Sequence, residues 1–515
     1  MIKNKTYILK VALFATGVSG IVAEYILATL ATYFLGNSVI QWTLIISLML
    51  FFMGVGSRIT QLLTKNIFTY FVIIELTLSL FVSFSALLTY SVAAFSAYTG
   101  VFIYGLAVLT GAMIGMELPL AVRLNERYEE LRVNVSSILE KDYYGSLLGG
   151  LFFAFVGLPY LGLTYTPFVL GLVNLLVAVR LIQLFPATTG KKQIRQLQLG
   201  ALVVLLLTVG GIVSAQKVIL YGEQKKYIDK VVYTEQSAYQ KIVLTQWKDD
   251  LWLYLDGNLQ FSSYDEALYH EVLVHPAVQL CNTPYDVLIL GGGDGCAARE
   301  LLKYDQVKTI TLVDLDPAMT NLASEHPLLT AINEGALSNP KVNIINQDGF
   351  NWVEKTKQFF DLIIIDLPDP RSVELSRLYS YEFYRMCYKQ LRPGGVLITQ
   401  AGSPYFATRS FKCIHKTVEA AGFSAIPMHN QIITMGEWGW ILATKAEVTD
   451  SMMLDRLHHI QLEEIPTKWL NREAISLITS FGKDFFDQVP DTVRINKVHD
   501  PVLYRYFLKG SWDLY

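Results

Sequence analysis

Four aspartates, Asp294, Asp314, Asp348 and Asp366, stand at or just past the ends of short apolar runs. The most informative lies in "LGGGDGCAARELLKY" (Leu290–Tyr304), a glycine-rich turn with a carboxylate at its tip. A glycine turn between a strand and a helix usually cradles a nucleotide, because its backbone N–H groups can approach the ligand closely. Asp314 closes "TITLVDLD" (Thr309–Asp316) about twenty residues later, the spacing of an acid that pairs with a ribose diol. The turn alone is weak evidence. Joined to Asp314 and to "QDG" (Gln347–Gly349), it points to an adenosyl ligand. Acids that merely solvate strand ends would explain each residue singly, and the set less well.

The charge of Asp294 narrows the ligand. S-Adenosylmethionine ends in a carboxylate, which Asp294 would repel. A tail ending in an ammonium would instead be attracted by a few kcal/mol at an effective dielectric of about 20. Decarboxylated S-adenosylmethionine, with its aminopropyl arm, has such a tail, so Asp294 reads as a selectivity device.

These acids need a scaffold. From about Tyr227, "KVVYTEQSAYQKIVLTQW" and "LWLYLDGNLQFSS" read as β-hairpins. A buried strand, "YDVLIL", and four more strands, "TITLVDLD", "KVNIINQDGF", "FDLIIIDLPDP" and "GGVLITQAG", follow, with helical stretches between them. That rhythm predicts a parallel, doubly wound α/β (Rossmann-like) sheet, whose ligands bind beyond the carboxyl ends of the strands.

The preceding two fifths have a different texture. The chain is 52% hydrophobic and 17% charged, with mean hydropathy +0.35, which argues for a membrane bundle fused to a soluble part. Apolar runs divide into about seven candidate transmembrane helices, near 8–35, 38–57, 67–90, 93–122, 143–163, 166–186 and 198–216. No cleavable signal peptide is apparent. Lys3, Lys5 and Lys10 precede the first span. Arg58 and Lys65 follow the second, Arg123, Arg127, Arg132 and Lys141 the fourth, and Lys191, Lys192 and Arg195 the sixth. The connections near Gly36–Asn37, Ser91 and Leu163–Tyr165 carry none. This alternation puts the N-terminus in the cytoplasm and, with seven spans, everything after Lys217 outside. A donor made by cytoplasmic metabolism would put it inside, so the two expectations conflict. Glu24, Glu75 and Glu117 fall within spans and should face the bundle interior, as a polar pathway or cavity or as partners in interhelical hydrogen bonds. The net charge of −3 gives no nucleic-acid footprint. Cys281, Cys296, Cys387 and Cys413 lack CxxC spacing, which argues against zinc and leaves the redox compartment open.

At these residues the sequence resembles the spermidine synthase (polyamine aminopropyltransferase) family from about Tyr227 to Lys445. The pieces occur in the family's order: "YQKIVL", "LYLDGNLQFSSYDEALYHEVLVHP", "GGGDG", "LVDLD", "QDG", "DLPDP" and "GEWGW". "LGNSVIQW", "GMELPL" and "DYYGSLLGG" resemble its membrane-integrated branch. The resemblance implies a methyltransferase-type α/β domain with a small β-hairpin subdomain. It implies that Gln240, His270, Asp294, Asp314, Asp348 and Gly349 hold the nucleoside and aminopropyl arm. Asp366 would accept the proton, and Gln260, Tyr269, Asp369 and Gln400 would bind the amine. Decarboxylated S-adenosylmethionine would be the co-substrate and 5′-methylthioadenosine the product, with no prosthetic group or metal. The bilayer and the small-molecule amine are the expected partners, and a homodimer is a further expectation.

The implied division is a multi-pass domain over 1–217, a linker and hairpin subdomain over 218–284, the transferase domain over 285–447, and an extension of unknown role over 448–515. His458–His459, in that extension, reads as a solvated helix face. Leu367 and Pro368 depart from the family between its two acids, Arg371 stands beside the amine channel, and His429 replaces a tyrosine. Arg371 would oppose a dication unless it is solvated, which puts the acceptor amine in question. Two other functions fit parts of the pattern: a different sulfonium-using transferase, which Asp294 disfavours, and a non-catalytic nucleoside or polyamine binder, which Asp366 and Asp369 together disfavour.

Overall fold

The computed structural model describes residues 2–36, 38–96, 98–126, 130–185, 190–281, 283–486 and 492–512. Asn37, Arg127 and Pro186, which fall in the expected loops and spans, lie outside the described residues. The chain forms two compact units, Met1–Ala238 and Tyr239–Tyr515.

The first unit is helical: α1 (Ile2–Leu35), α2 (Ser38–Ile59), α3 (Ile67–Phe95), α4 (Thr99–Asn125), α5 (Leu131–Phe152), α6 (Gly162–Leu184) and α7 (Lys191–Lys226), then strand β1 (Lys230–Gln236). By length and composition, six helices could cross a membrane, one fewer than the seven spans expected. The expected fifth and sixth spans share one 54-residue helical stretch, Leu131–Leu184. A straight rod of that length would measure about 80 Å, but this one bends back on itself. A π-helical turn, Phe153–Leu161, contains Pro159, which has no N–H for the helical ladder. At Gly162 the backbone then turns to φ +61.

Contacts fix the directions. Phe14 and Val18 of α1 meet Gly145, and Val18 meets Gly149, so α5 runs parallel to α1. Thr16 bonds Glu75 and Phe34 packs on Tyr90, so α3 does too. Phe68 packs on Phe185 and Phe84 on Phe168, so α6 runs against α3. Leu35 meets Gly100 and Ile114 meets Gly20, so α4 opposes α1, while Met49 and Met53 of α2 meet Gly111 and Gly115 of α4 in parallel. Leu76, Phe84 and Tyr90 face Gly200, Gly211 and Gly222, so α7 follows α3. Odd-numbered helices therefore run one way and even-numbered helices the other. Small residues permit the close crossings: a Cβ at Gly115 would fall 2.0 Å from the Met53 carbonyl oxygen. Glu24, Glu75 and Glu117 are all buried, whereas Phe51, Leu206 and Val213 are exposed.

In the second unit β2 (Lys241–Trp247), β3 (Asp250–Leu255) and β4 (Asn258–Ser262) form an antiparallel meander. Helix α8 (Ala267–Leu280) leads into a seven-stranded sheet of β5 (Asp286–Gly291), β6 (Thr309–Asp314), β7 (Val342–Asn346), β8 (Phe360–Asp366), β9 (Leu391–Gly402), β10 (Ser424–Ile432) and β11 (Gly436–Thr444). The spatial order is β10-β11-β9-β8-β5-β6-β7. The five expected strands pair in parallel, with unbroken apolar runs in β5 and β8, and "GEWGW" begins β11, the inner strand of an antiparallel edge hairpin. Residues after 447 belong to this unit's core. Val493, Val502 and Leu503 join the cluster under the sheet, and Glu271 of α8 accepts backbone N–H bonds from Lys468, Trp469 and Leu470. His459 is exposed and His458 bonds Thr479, so they form no shared ligand pair.

Candidate active site

Along the sheet, β6 and β7 lie to one side of β5, and β8 and β9 to the other. At such a switch point the loops leaving neighbouring strands part and open a crevice beyond the carboxyl ends. Gly291 and Asp366 are paired there. Gly291 has φ +84, and a Cβ on it would lie 2.0 Å from the Asp366 carbonyl oxygen, so the turn requires glycine. Helix α9 (Cys296–Leu302) follows, and its Cys296 N–H donates to Asp294 Oδ1 at 2.7 Å. Asn333 holds the turn from behind, donating to the Asp294 carbonyl at 2.8 Å.

Asp294 Oδ1 lies 3.9 Å from His270 Nε2. His270 is buried on α8, with Nδ1 3.0 Å from Glu266 Oε2. Arg299 grips Glu266 with two N–H bonds of 3.0 and 2.7 Å. Burial opposes charge on His270, but the Glu266 hydrogen bond and the charges of Asp294 and Asp366 outweigh it and push the imidazole up to about 9. Asp366 Oδ1 accepts a 2.7 Å bond from Tyr269. Burial first, then the charge of Asp294, raise Asp366 to about 6 against the opposing pull of His270 and Tyr269.

The residues expected on the nucleoside side lie across the crevice. Burial raises Asp314 to about 6, and its Oδ1 accepts from the Asp316 N–H at 2.9 Å. Gln240 donates to Asp316 Oδ2, also at 2.9 Å. Asp348 caps the helix Gly349–Lys355 by accepting from Asn351 N–H and pairs with Arg377.

On the far side of Asp366, Asp369 Oδ2 lies 3.1 Å from Arg371 Nη2. Its buried Oδ1 has no partner among the described residues. Burial raises the Asp369 carboxyl while Arg371 opposes the rise. Gln400 is spent on the loop itself, donating to the Leu367 carbonyl at 2.8 Å and to Tyr379 Oη at 2.5 Å. Among the described residues Gln260 is not joined to this cluster; its amide bonds the Asn258 and Leu259 carbonyls. His429 is held between Glu437 and the Ser480 carbonyl. Arg371 is partly exposed yet paired, and it lies 5.7 Å over the Phe507 ring.

The structure thus gathers Tyr269, His270, Asp294 and Asp366 at one point, flanked by Asp314 and Gln240 on one side and Asp369 and Gln400 on the other. Sequence reasoning missed the Glu266–Arg299 brace, Tyr379, Arg377 and Phe507. Glu266 lies four residues before His270 on the same helical face, a signal that was available. No local pattern announces the other three. His270, Asp294 and Asp366 bring ligand-type atoms within 4.8 Å of one another, as do Glu266, His270 and Cys296.

Residues 266–454 match the Spermine/spermidine synthase domain. The polyamine aminopropyltransferase of Oceanobacillus iheyensis is 40% identical over 507 residues, covering 97% of this chain and 96% of that one. Polyamine aminopropyltransferase 2 of Aquifex aeolicus is 41% identical over 502 residues, covering 97% and 98%. A solved spermidine synthase in complex with the transition state analogue AdoDATO is 28% identical, covering 50% of this chain and 89% of its own, with a TM-score of 0.46. With about two residues in five shared over nearly the full length of curated relatives, the chain is an enzyme that belongs to the polyamine aminopropyltransferase family.

Proposed function

We propose that the chain transfers the aminopropyl group of decarboxylated S-adenosylmethionine to a diamine such as putrescine, giving a spermidine-type polyamine and 5′-methylthioadenosine. The observation that carries this reading is the position of Asp294, at the tip of the glycine turn and 3.9 Å from His270. A donor tail ending in an ammonium would satisfy that carboxylate, whereas one ending in a carboxylate would meet a like charge. Asp314 would take the ribose diol, and Asp348, Gly349 and Gln240 would hold the rest of the nucleoside.

The reaction is a displacement at carbon. The amine nitrogen's lone pair forms the new C–N bond, the C–S bond breaks, and its electrons neutralise the sulfonium. A free alkylammonium has a pKa near 10.4 and no lone pair to give. Transferring its proton to Asp366, at about 6, is uphill by about 6 kcal/mol, well within the range of an enzymatic step. Tyr269, donating to Asp366 Oδ1, aims the other oxygen at the nitrogen. Asp369 would receive the diamine's far ammonium in place of Arg371. Because the sulfonium is already a good leaving group, holding nucleophile and methylene about 3–3.5 Å apart supplies much of the rate.

We further propose that the first unit lies in a membrane with seven passes. An apolar exterior around buried carboxylates suits lipid, and the alternating helix directions allow α5 and α6 to cross separately. Mass spectrometry of products from the purified full-length protein, given decarboxylated S-adenosylmethionine and a panel of amines, tests the function. Methylation, or no aminopropylated amine from any member of the panel, would overturn it.

A further inference from the structure

The first unit holds a cavity of about 180 Å³, lined among others by Thr16, Ser57, Glu117, Pro119 and Asp142. Glu117 is 1% exposed, and neither of its carboxylate oxygens has a hydrogen-bond partner among the described residues. Leaving such a group unsatisfied inside a helical bundle is costly. Beside it, Thr16 Oγ1 donates to Glu75 Oε1 at 3.3 Å, and Glu75 Oε2 is also buried and unpartnered among the described residues. Pro119 has no N–H to give the Gly115 carbonyl four residues earlier, and Gly115 lines the same cavity. Carboxyl oxygens therefore converge on this space in excess of the hydroxyls, Thr16 and Ser57, that line it.

We infer that this cavity is a second binding site, separate from the transferase crevice, and that it takes an aliphatic ammonium of the class the enzyme acts on. Three acidic side chains are gathered here: Glu117 and Asp142 from the lining and Glu75 behind Thr16. Their arrangement decides against a divalent metal ion. A divalent ion draws six to eight oxygens to about 2–2.6 Å, whereas Glu75, Glu117 and Asp142 do not bring three ligand atoms within 4.8 Å of one another. Much of the remaining wall is apolar, with Leu13, Met53, Ile114 and Leu118 in the lining. Acidic groups beside an apolar wall match an ammonium carried on methylenes. The choice of amine class rests on the transferase reading above; the cavity and its unpaired carboxylates do not.

Equilibrium dialysis of labelled spermidine and putrescine against the full-length protein in detergent tests the site, using wild type, Glu117→Gln, Asp142→Asn and Asp369→Asn. The wild type should bind in two classes. Glu117→Gln should weaken one class at least tenfold, and Asp142→Asn, at the half-buried side of the cavity, should weaken the same class. Both should transfer the aminopropyl group within twofold of wild type, which also shows that they fold. Asp369→Asn should weaken only the other class. If both cavity variants retain both classes, or if sodium chloride displaces the label where choline chloride at equal ionic strength does not, the inference is overturned. If no amine is ever aminopropylated but the Glu117-dependent class persists, the transferase reading fails and this site stands.

Discussion

Replacing Asp294 by asparagine tests the assignment of that residue most directly. Asparagine keeps an oxygen that can accept the Cys296 N–H bond, held at 2.7 Å in the parent, so the turn keeps its shape and only the charge goes. Two charges about 4 Å apart interact by about 4 kcal/mol at an effective dielectric near 20. The Asp294 side chain is 15% exposed, and a hydrogen bond to a charged group contributes a net 1.5–3 kcal/mol or so. The lower range should govern, giving roughly 10–100-fold weaker binding of decarboxylated S-adenosylmethionine. Methylthioadenosine has no ammonium, and its affinity should change less than about threefold. Isothermal titration with both ligands reads the difference. A second readout follows from the crevice's electrostatics, because the charge of Asp294 helps to raise Asp366. Without it Asp366 ionises at lower pH, so the acid limb of the rate profile should move down. Equal weakening of both ligands would show that Asp294 merely shapes the turn, and an upward shift of the limb would refute the electrostatic account.

Asp366→Asn should lower kcat by about 10²–10⁴ while methylthioadenosine affinity, read by the same titration, stays near the parent's; turnover within threefold of the parent would remove Asp366 as the base. In the parent enzyme kcat/KM should fall as pH is lowered through about 6, because the base must be a carboxylate and protonates there; a profile flat from pH 7.5 to 5 would contradict this. Arg371→Ala should free Asp369, now paired at 3.1 Å, and lower the diamine KM several-fold with kcat little changed; a raised KM would mean that Arg371 shapes the amine site. A reporter fused to the C-terminus should be active only outside the cytoplasm if loop charge sets the topology. Activity only in the cytoplasm would instead give weight to Lys217, Lys225 and Lys226, which α7 carries past its expected end.

How much of the fold and the site is legible in the sequence depends on whether the signal is local. The glycine turn, the acid closing β6 and the apolar runs of β5 and β8 are each fixed by neighbours in sequence, so the sheet and the four strand-end acids can be placed from the residues alone. The pairing of Gly291 with Asp366 follows once the sheet is doubly wound, because the two strands flank the switch point. What stays hidden joins distant segments. Arg377 reaches Asp348, and Phe507 reaches Arg371 from a segment that carries no recognisable motif. Glu271 reads as one more acid on α8, yet it receives three N–H groups from residues nearly two hundred positions later. The helical unit shows the same division. Hydropathy locates the apolar stretches but cannot distinguish one long helix from two opposed ones, because the reversal rests on a proline, a glycine with positive φ and the packing of α6 against α3. Nor can hydropathy tell which buried acids meet. Glu75 and Glu117 are forty-two positions apart in the chain and converge because α3 and α4 lie side by side. A carboxylate in an apolar run is visible in any sequence; whether it has a partner is decided by the helix that packs against it.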